Sequence, residues 1–167
     1  EAPEVETDMG DYVAPRFKGA PQWVITGRGG DPDVIYGTGS VSPVADISLA
    51  RDTAMARARN NIVLYVQAEV RSLLESGQIQ TDDGEAISSA QEISNTIAQV
   101  GNMDLSGAQM ESSWLSSNNE YWVLAALDME AFGNALERVT RLNERAREQI
   151  SQRVRENHDR LDERTLD

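Results

Sequence analysis

After Asp46, apolar residues recur every three or four positions: Ile47, Ala50, Ala54, Ala58, Ile62, Val66, Val70 and Leu73. That spacing paints one stripe down a single helix, opened by Asp46 as N-cap and closed near Gly77. At 1.5 Å per residue such a helix is about 45 Å long. A rod of that length must run across the whole of any domain this chain can build, and everything else has to pack on it. The first half of the stripe is alanine, which lets a backbone approach closely and so favours a sheet as the partner. Arg51, Arg57 and Arg59 mark the wet side. The chain has 167 residues, enough for one domain whose core needs no metal or disulfide.

The strand signals are fewer. Val34, Ile35 and Tyr36, then Thr38, Ser40 and Val41, read as a strand interrupted by Gly37 and Gly39. Trp23, Val24 and Ile25 follow Pro21 and run into Gly27, Gly29 and Gly30, which reads as a short extended segment and a loop. Met103 and Leu105 alternate with polar residues. Past Gly107 the alternation shifts to Ala108, Met110, Ser112 and Trp114, which predicts a strand bulged at the glycine. Ser116 to Asn119 forms a turn. The continuous apolar run from Tyr121 to Leu127 suits a buried central strand, paired with the preceding one as a hairpin. Between the long helix and this hairpin lies a second helix. Its face is Ala86, Ala90, Ile93 and Ile97, with Asp82 or Asp83 as cap and Gly101 as stop.

Asp128 caps the last helix. Ala131, Ala135, Leu136 and Val139 can pack on the domain, after which the stripe narrows to Leu142, Ala146, Ile150, Val154 and Leu161. Helical as far as Arg164, this element would reach about 50 Å. The repeat of four is not a heptad seam, so a left-handed coiled coil is not indicated. The stripe either folds back on its own domain or packs on a neighbour. The chain therefore divides into an extended leader over 1–20, an α+β domain over 21–140 and an extension of the last helix over 141–167. The fold class is α+β: a small antiparallel sheet packed by two or three helices, with a long protruding C-terminal helix.

Charge is distributed unevenly. Between Ser72 and Glu137 there are 11 acidic residues and no Lys, Arg or His, while eight of the 14 arginines lie from Arg138 onward. The net charge is −13. Such a chain repels nucleic-acid backbones and anionic leaflets. No apolar run is long enough for a transmembrane helix. The acidic body is either a device for solubility or the complement of an arginine-rich helix on another copy.

Catalytic parts are scarce. The chain has no cysteine and one histidine, His158, which sits among arginines and reads as a surface residue. Ser-His-Asp, Cys-His and histidine-based metal hydrolysis all lack components. A carboxylate-pair glycosidase stays possible on paper, but the acids fall at capping and solvent-facing positions. Gly27-x-Gly29-Gly30 and Gly37-x-Gly39 are not phosphate loops. No helix opens directly after them and no lysine follows. Asp82, Asp83 and Glu85, like Asp31 and Asp33, read as caps and turns in preference to calcium ligands. No catalytic, metal or cofactor residue is assigned. Among the aromatic residues only Trp23 falls outside a strong core pattern, which makes it the candidate contact for a ligand or partner.

Taken in order, several segments resemble one family. They are Pro21-x-Trp23-Val24, Ile35-Tyr36-Gly37-x-Gly39-Ser40, Ala50-Arg51-Asp52-x-Ala54-x-Ala56-x-Ala58, Gly107-Ala108-x-Met110 with Trp114, and Tyr121-Trp122-Val123-Leu124-Ala125. The stretch from Ile150 to Leu161, with Glu156-Asn157, fits its last helix. The set is similar to the bacterial twenty-kilodalton lipoprotein family, whose relatives include outer-membrane lipoproteins of the flagellar basal disk or H-ring. The resemblance implies a compact domain without an active site. It implies a periplasmic or outer-membrane location in a Gram-negative cell, often through a lipid on an N-terminal cysteine. It implies self-assembly, alone or with other flagellar or envelope ring proteins. The chain begins at Glu1, and a signal peptide or lipid-bearing cysteine upstream would not be seen in it.

These readings combine into one expectation. The chain is a non-enzymatic structural subunit of an envelope-associated ring or filament, with a flagellar outer-membrane ring as the specific case. The expected interface between copies is Arg138, Arg141, Leu142, Arg145, Ala146, Ile150, Arg153 and Val154. The competing expectation is a monomeric or dimeric lipoprotein that binds a ligand through Trp23.

Overall fold

A computed structural model of the chain describes residues 17–79 and 89–163. In chain order the elements are α1 (Gln22–Thr26), β1 (Val34–Val41), α2 (Ile47–Glu75), α3 (Ala90–Gly101), β2 (Gln109–Leu115), β3 (Tyr121–Asp128), α4 (Met129–Leu136) and α5 (Glu144–Glu163). The three strands form one antiparallel sheet in the order β1-β3-β2. The fold is α+β, and the long stripe is indeed one helix. Asp46 caps it by accepting the Leu49 N–H at 2.8 Å.

The helix lies across β1 and β3 on one face of the sheet. Ala50, Ala54, Ala58, Ile62, Val66 and Val70 are all buried there. Gly37 and Gly39 do not interrupt β1, which is continuous over eight residues. They are where the helix backbone lands. A Cβ on Gly37 would strike the Ala58 carbonyl and sit 2.7 Å from the Ile62 side chain. One on Gly39 would strike the Ala54 carbonyl and sit 2.5 Å from the Ala58 nitrogen. Strand glycines often mark a close backbone approach of this sort. The alanine stripe and the glycine pair are two halves of one contact.

The other sheet face is covered by the segment around α1. Val24, Tyr36 and Leu124 are buried, and Phe17 packs on Trp122 with ring centroids 6.1 Å apart. The segment from Trp23 is thus a helical turn, not an extended strand. Gly27, at φ 76°, ends it by returning its N–H to the Trp23 carbonyl at 2.8 Å. Residues 17–20, expected to belong to the leader, are part of the domain. The rest of the leader, residues 1–16, lies outside the described residues, as do Asp82, Asp83, Glu85 and Ala86.

The second helix starts later than the aspartates suggested. Ser89 caps α3 by accepting the Glu92 N–H, and Glu92 reaches back to the Ser89 N–H. This capping box ties two otherwise unpaired amides. The bulge in β2 falls between Met110 and Ser112, not at Gly107. Residues 103–108 form turns in which Met103, Leu105 and Ala108 are buried. Asp104 organises them by accepting the Ser106 N–H at 2.9 Å. That bond, with the nearby Arg138 guanidinium, holds its pKa below the ordinary carboxylate value.

The largest departure from expectation is the last helix. It is two helices, and the second does not protrude. Asp128 caps α4 through the Ala131 N–H at 2.7 Å. Residues 137–143 then turn, and Asn143 caps α5 through the Ala146 N–H at 2.7 Å. Gln99 of α3 accepts the Arg141 N–H at 3.3 Å and so helps to hold the turn. The turn reverses the chain and lays α5 against α2 and α4.

Candidate interaction site

The residues expected to bridge copies must be placed first. Leu142, Ala146, Ile150 and Val154 are each at most 1% exposed, and they belong to the same buried cluster as Ile62 and Val66. They are core residues of their own chain. The stripe is narrow because it fits the groove between α2 and α4, and a narrow stripe looks the same in sequence whichever chain supplies the groove. Several arginines follow suit. Arg138 pairs with Asp104 at 3.3 Å, and Arg153 with Glu69 at 3.5 Å. Arg155 pairs with Asp33 at 3.5 Å. The two α5 arginines among these, Arg153 and Arg155, reach Glu69 and Asp33, acids outside the Ser72–Glu137 stretch, and only Arg138, in the turn before α5, pairs with an acid of that stretch. Arg138, Arg141 and Arg145 remain exposed, but the four apolar residues of the expected interface are taken up by the chain's own core. Trp23 is half-buried on α1, while its neighbour Ile25 is 60% exposed.

His158 is also misplaced by sequence reasoning. It is 5% exposed. Its Nε2 accepts the Tyr36 backbone N–H at 3.2 Å. Its ring stacks on Tyr36, with centroids 5.9 Å apart and 21° between planes, and tilts against Tyr65 at 5.6 Å. Arg28, itself buried, donates to the His158 carbonyl. The Tyr65 hydroxyl donates to the Val154 carbonyl at 3.1 Å. Burial pushes the Tyr36 phenol pKa up, against the hydrogen bond it accepts from the Asp31 N–H.

The geometry gives this cluster a structural purpose. β1 is an edge strand, and an edge presents a row of unpaired backbone groups. The antiparallel register sends Tyr36, Thr38 and Ser40 outward, away from β3. His158 takes the Tyr36 N–H, Asn61 donates to the Thr38 carbonyl, and Arg57 donates to the Ser40 carbonyl at 2.6 Å. Side chains from α2 and α5 close the edge. His158→Leu, which keeps the bulk and removes the acceptor, is expected to cost about 1–3 kcal/mol of stability for the orphaned amide. Chemical denaturation of the two chains measures this. A variant as stable as the parent would show that the histidine does not hold the edge.

The opposite edge, β2, is treated differently. The same alternation turns the backbone groups of Ser113 and Leu115 away from β3. Among the described residues no strand lies beyond it. Met110 and Leu115 on this strand are 37% and 47% exposed. α2 covers β1 and β3 but stops short of β2, where it presents two arginines. Arg51 donates to the Tyr121 hydroxyl at 3.5 Å, opposite Leu115. Arg59 donates to the Ala108 carbonyl at 3.4 Å, just before the strand begins. The Nε of Arg59, withdrawn from solvent, has no acceptor among the described residues. Nothing in the sequence marks this edge, because strand order is not written in local periodicity.

No group of three or more His, Asp or Glu is gathered as a metal site among the described residues. Asp31 and Asp33 are occupied locally: Asp31 accepts the Asp33 N–H at 2.9 Å, and Asp33 pairs with Arg155. A surface groove of about 330 Å³ beside Arg59, Asn60 and Val63 is shallow and mixed in polarity. None of the described helices is long and apolar enough to cross a membrane. Comparison of the chain with protein-family models and with curated proteins finds no match.

Proposed function

We propose that this chain is a structural, non-catalytic subunit of a cell-envelope assembly, a ring or filament of like copies joined head to tail. The resemblance to the twenty-kilodalton lipoprotein family supports the envelope setting, with a flagellar outer-membrane ring as the specific case. The observation that carries the reading is the contrast between the two sheet edges. Proteins manage exposed edges explicitly. This one closes β1 with His158, Asn61 and Arg57, and among the described residues leaves β2 open beside apolar Met110 and Leu115. The contact between copies belongs there and not on α5.

One observation favours a second reading. With α5 folded onto its own domain, the chain is self-contained, as suits a monomeric or dimeric binding module that meets its ligand through Trp23 and Ile25. Light scattering of the full chain across concentration separates the two. Species of several copies are expected. A monomer at every concentration would overturn the assembly reading in favour of the module.

A further inference from the structure

The open β2 edge has a defined shape. It offers outward backbone groups at Ser113 and Leu115, and α2 flanks it with Arg51 and Arg59. These arginines stand eight residues apart on one helix, about 12 Å. In a chain of net charge −13, this is a cationic strip beside a strand whose outer edge is unpaired among the described residues. It fits an extended acidic segment whose carboxylates are spaced to match. Adding a strand to an exposed edge is a general mode of peptide recognition, in which main-chain bonds supply affinity and alternate side chains supply choice.

The chain carries such a segment outside the described residues. Between Pro3 and Gly10 the sequence runs Glu4-Val5-Glu6-Thr7-Asp8-Met9. Acidic residues alternate strictly with Val, Thr and Met, the period of a strand with one charged face. In extended form Glu4 and Asp8 are about 13 Å apart, at 3.3 Å per residue. That matches the separation of Arg51 and Arg59. With the acids turned toward α2, the acidic face of such a strand would lie on the side of Leu115, and Val5, Thr7 and Met9 on the side of half-buried Trp114. The bulge between Met110 and Ser112 interrupts the edge, so the main-chain pairing is made along Ser112–Leu115 and the rest of the segment runs past the bulge toward Arg59.

We propose that residues 4–9 of one copy add as a strand to β2 of the next, with Glu4 and Asp8 paired to Arg51 and Arg59. This rests on the assembly reading and names its contact. The donor segment and the acceptor edge are unlike surfaces on one chain. Contacts of that kind repeat head to tail, and they close into a ring or extend into a filament. The leader has the reach: it joins the domain at Phe17, packed on Trp122, and residues 10–16 between the segment and Phe17 span about 25 Å when extended.

A chain without cysteine gives a clean background for the test. Full-length Thr7→Cys and Ser112→Cys chains, which place thiols on one face of the expected strand pair, are expressed together and treated with a short bis-maleimide. The expected product is a linked dimer containing one chain of each kind. Its yield should be about tenfold above that of Thr7→Cys with Arg145→Cys, where only collision joins the thiols. Exchanging Glu4, Glu6 and Asp8 for lysine should return the yield to the collision level. Equal yields for the two pairs would overturn the proposal. So would efficient linkage within a single chain carrying both Thr7→Cys and Ser112→Cys, since the leader would then cover its own edge. Light scattering of the unsubstituted chain keeps the two levels apart. Large species without the link refute the leader contact alone, and a monomer refutes both.

Discussion

Gly39→Ala is expected to lower the stability of this domain by about 3 kcal/mol, at the upper end of what over-packing ordinarily costs. Gly39→Val should cost more. The reason lies in which atoms the new methyl group meets. An overpacked side chain can usually swing aside. Here the obstacles are the Ala54 carbonyl, the Ala58 nitrogen at 2.5 Å and the Arg57 Cβ at 2.9 Å, all part of the helix itself. Relief requires lifting a 29-residue helix off β1, which opens the core along its length. Gly30→Ala is the control. Its Cβ would meet nothing within 4 Å, so it should be neutral or slightly stabilising through the unfolded chain. Urea denaturation of the three variants beside the parent is sufficient. A Gly39→Ala chain that unfolds with the parent would mean that helix and strand are not in backbone contact.

The second large effect concerns the C-terminal helix. Ile150→Ala should destabilise the isolated chain by about 2–5 kcal/mol, because it empties a site with 0% exposure between α5 and its own domain. Arg145→Ala, on the exposed side of the same helix, should fall within about 0.5 kcal/mol of the parent. The comparison separates the two readings of the stripe. If Leu142, Ala146, Ile150 and Val154 served a neighbouring copy, Ile150→Ala would leave a dilute monomer unaffected and would act only on assembly. Because they serve their own core, the loss appears at every concentration. Thermal melts across a range of dilutions distinguish these outcomes.

These effects follow from features that were unequally visible in the sequence. The α2 stripe and the run from Tyr121 to Leu127 could be read directly, because burial against one neighbour imposes a local period. The Asp46 and Asp128 caps were equally plain, since a cap needs only its own next three residues. Other features depended on partners distant in the chain. Gly37 and Gly39 looked like breaks because the helix that requires them is ten residues or more further on. His158 looked like a surface residue because its partners, Tyr36 and Arg28, lie more than 100 residues away. The turn at 137–143 was marked only by Asn143, whose capping bond is short-range, but it was masked by an apolar pattern that runs straight through it.

Periodicity, capping chemistry and charge thus settled that the chain is α+β, that one long helix spans it, and that its acidic and basic residues are segregated. A stripe records that a face is buried but not against which chain. Only the tertiary structure decided that α5 returns to its own core, that Arg138, Arg153 and Arg155 pair with acids of the same molecule, and that among the described residues one sheet edge is sealed while the other is left without a strand. Each of these is a pairing between segments far apart in sequence. Pairings of that kind are selected by which arrangement buries the most apolar surface and satisfies the most backbone groups at once, a property of the whole fold that no local window contains.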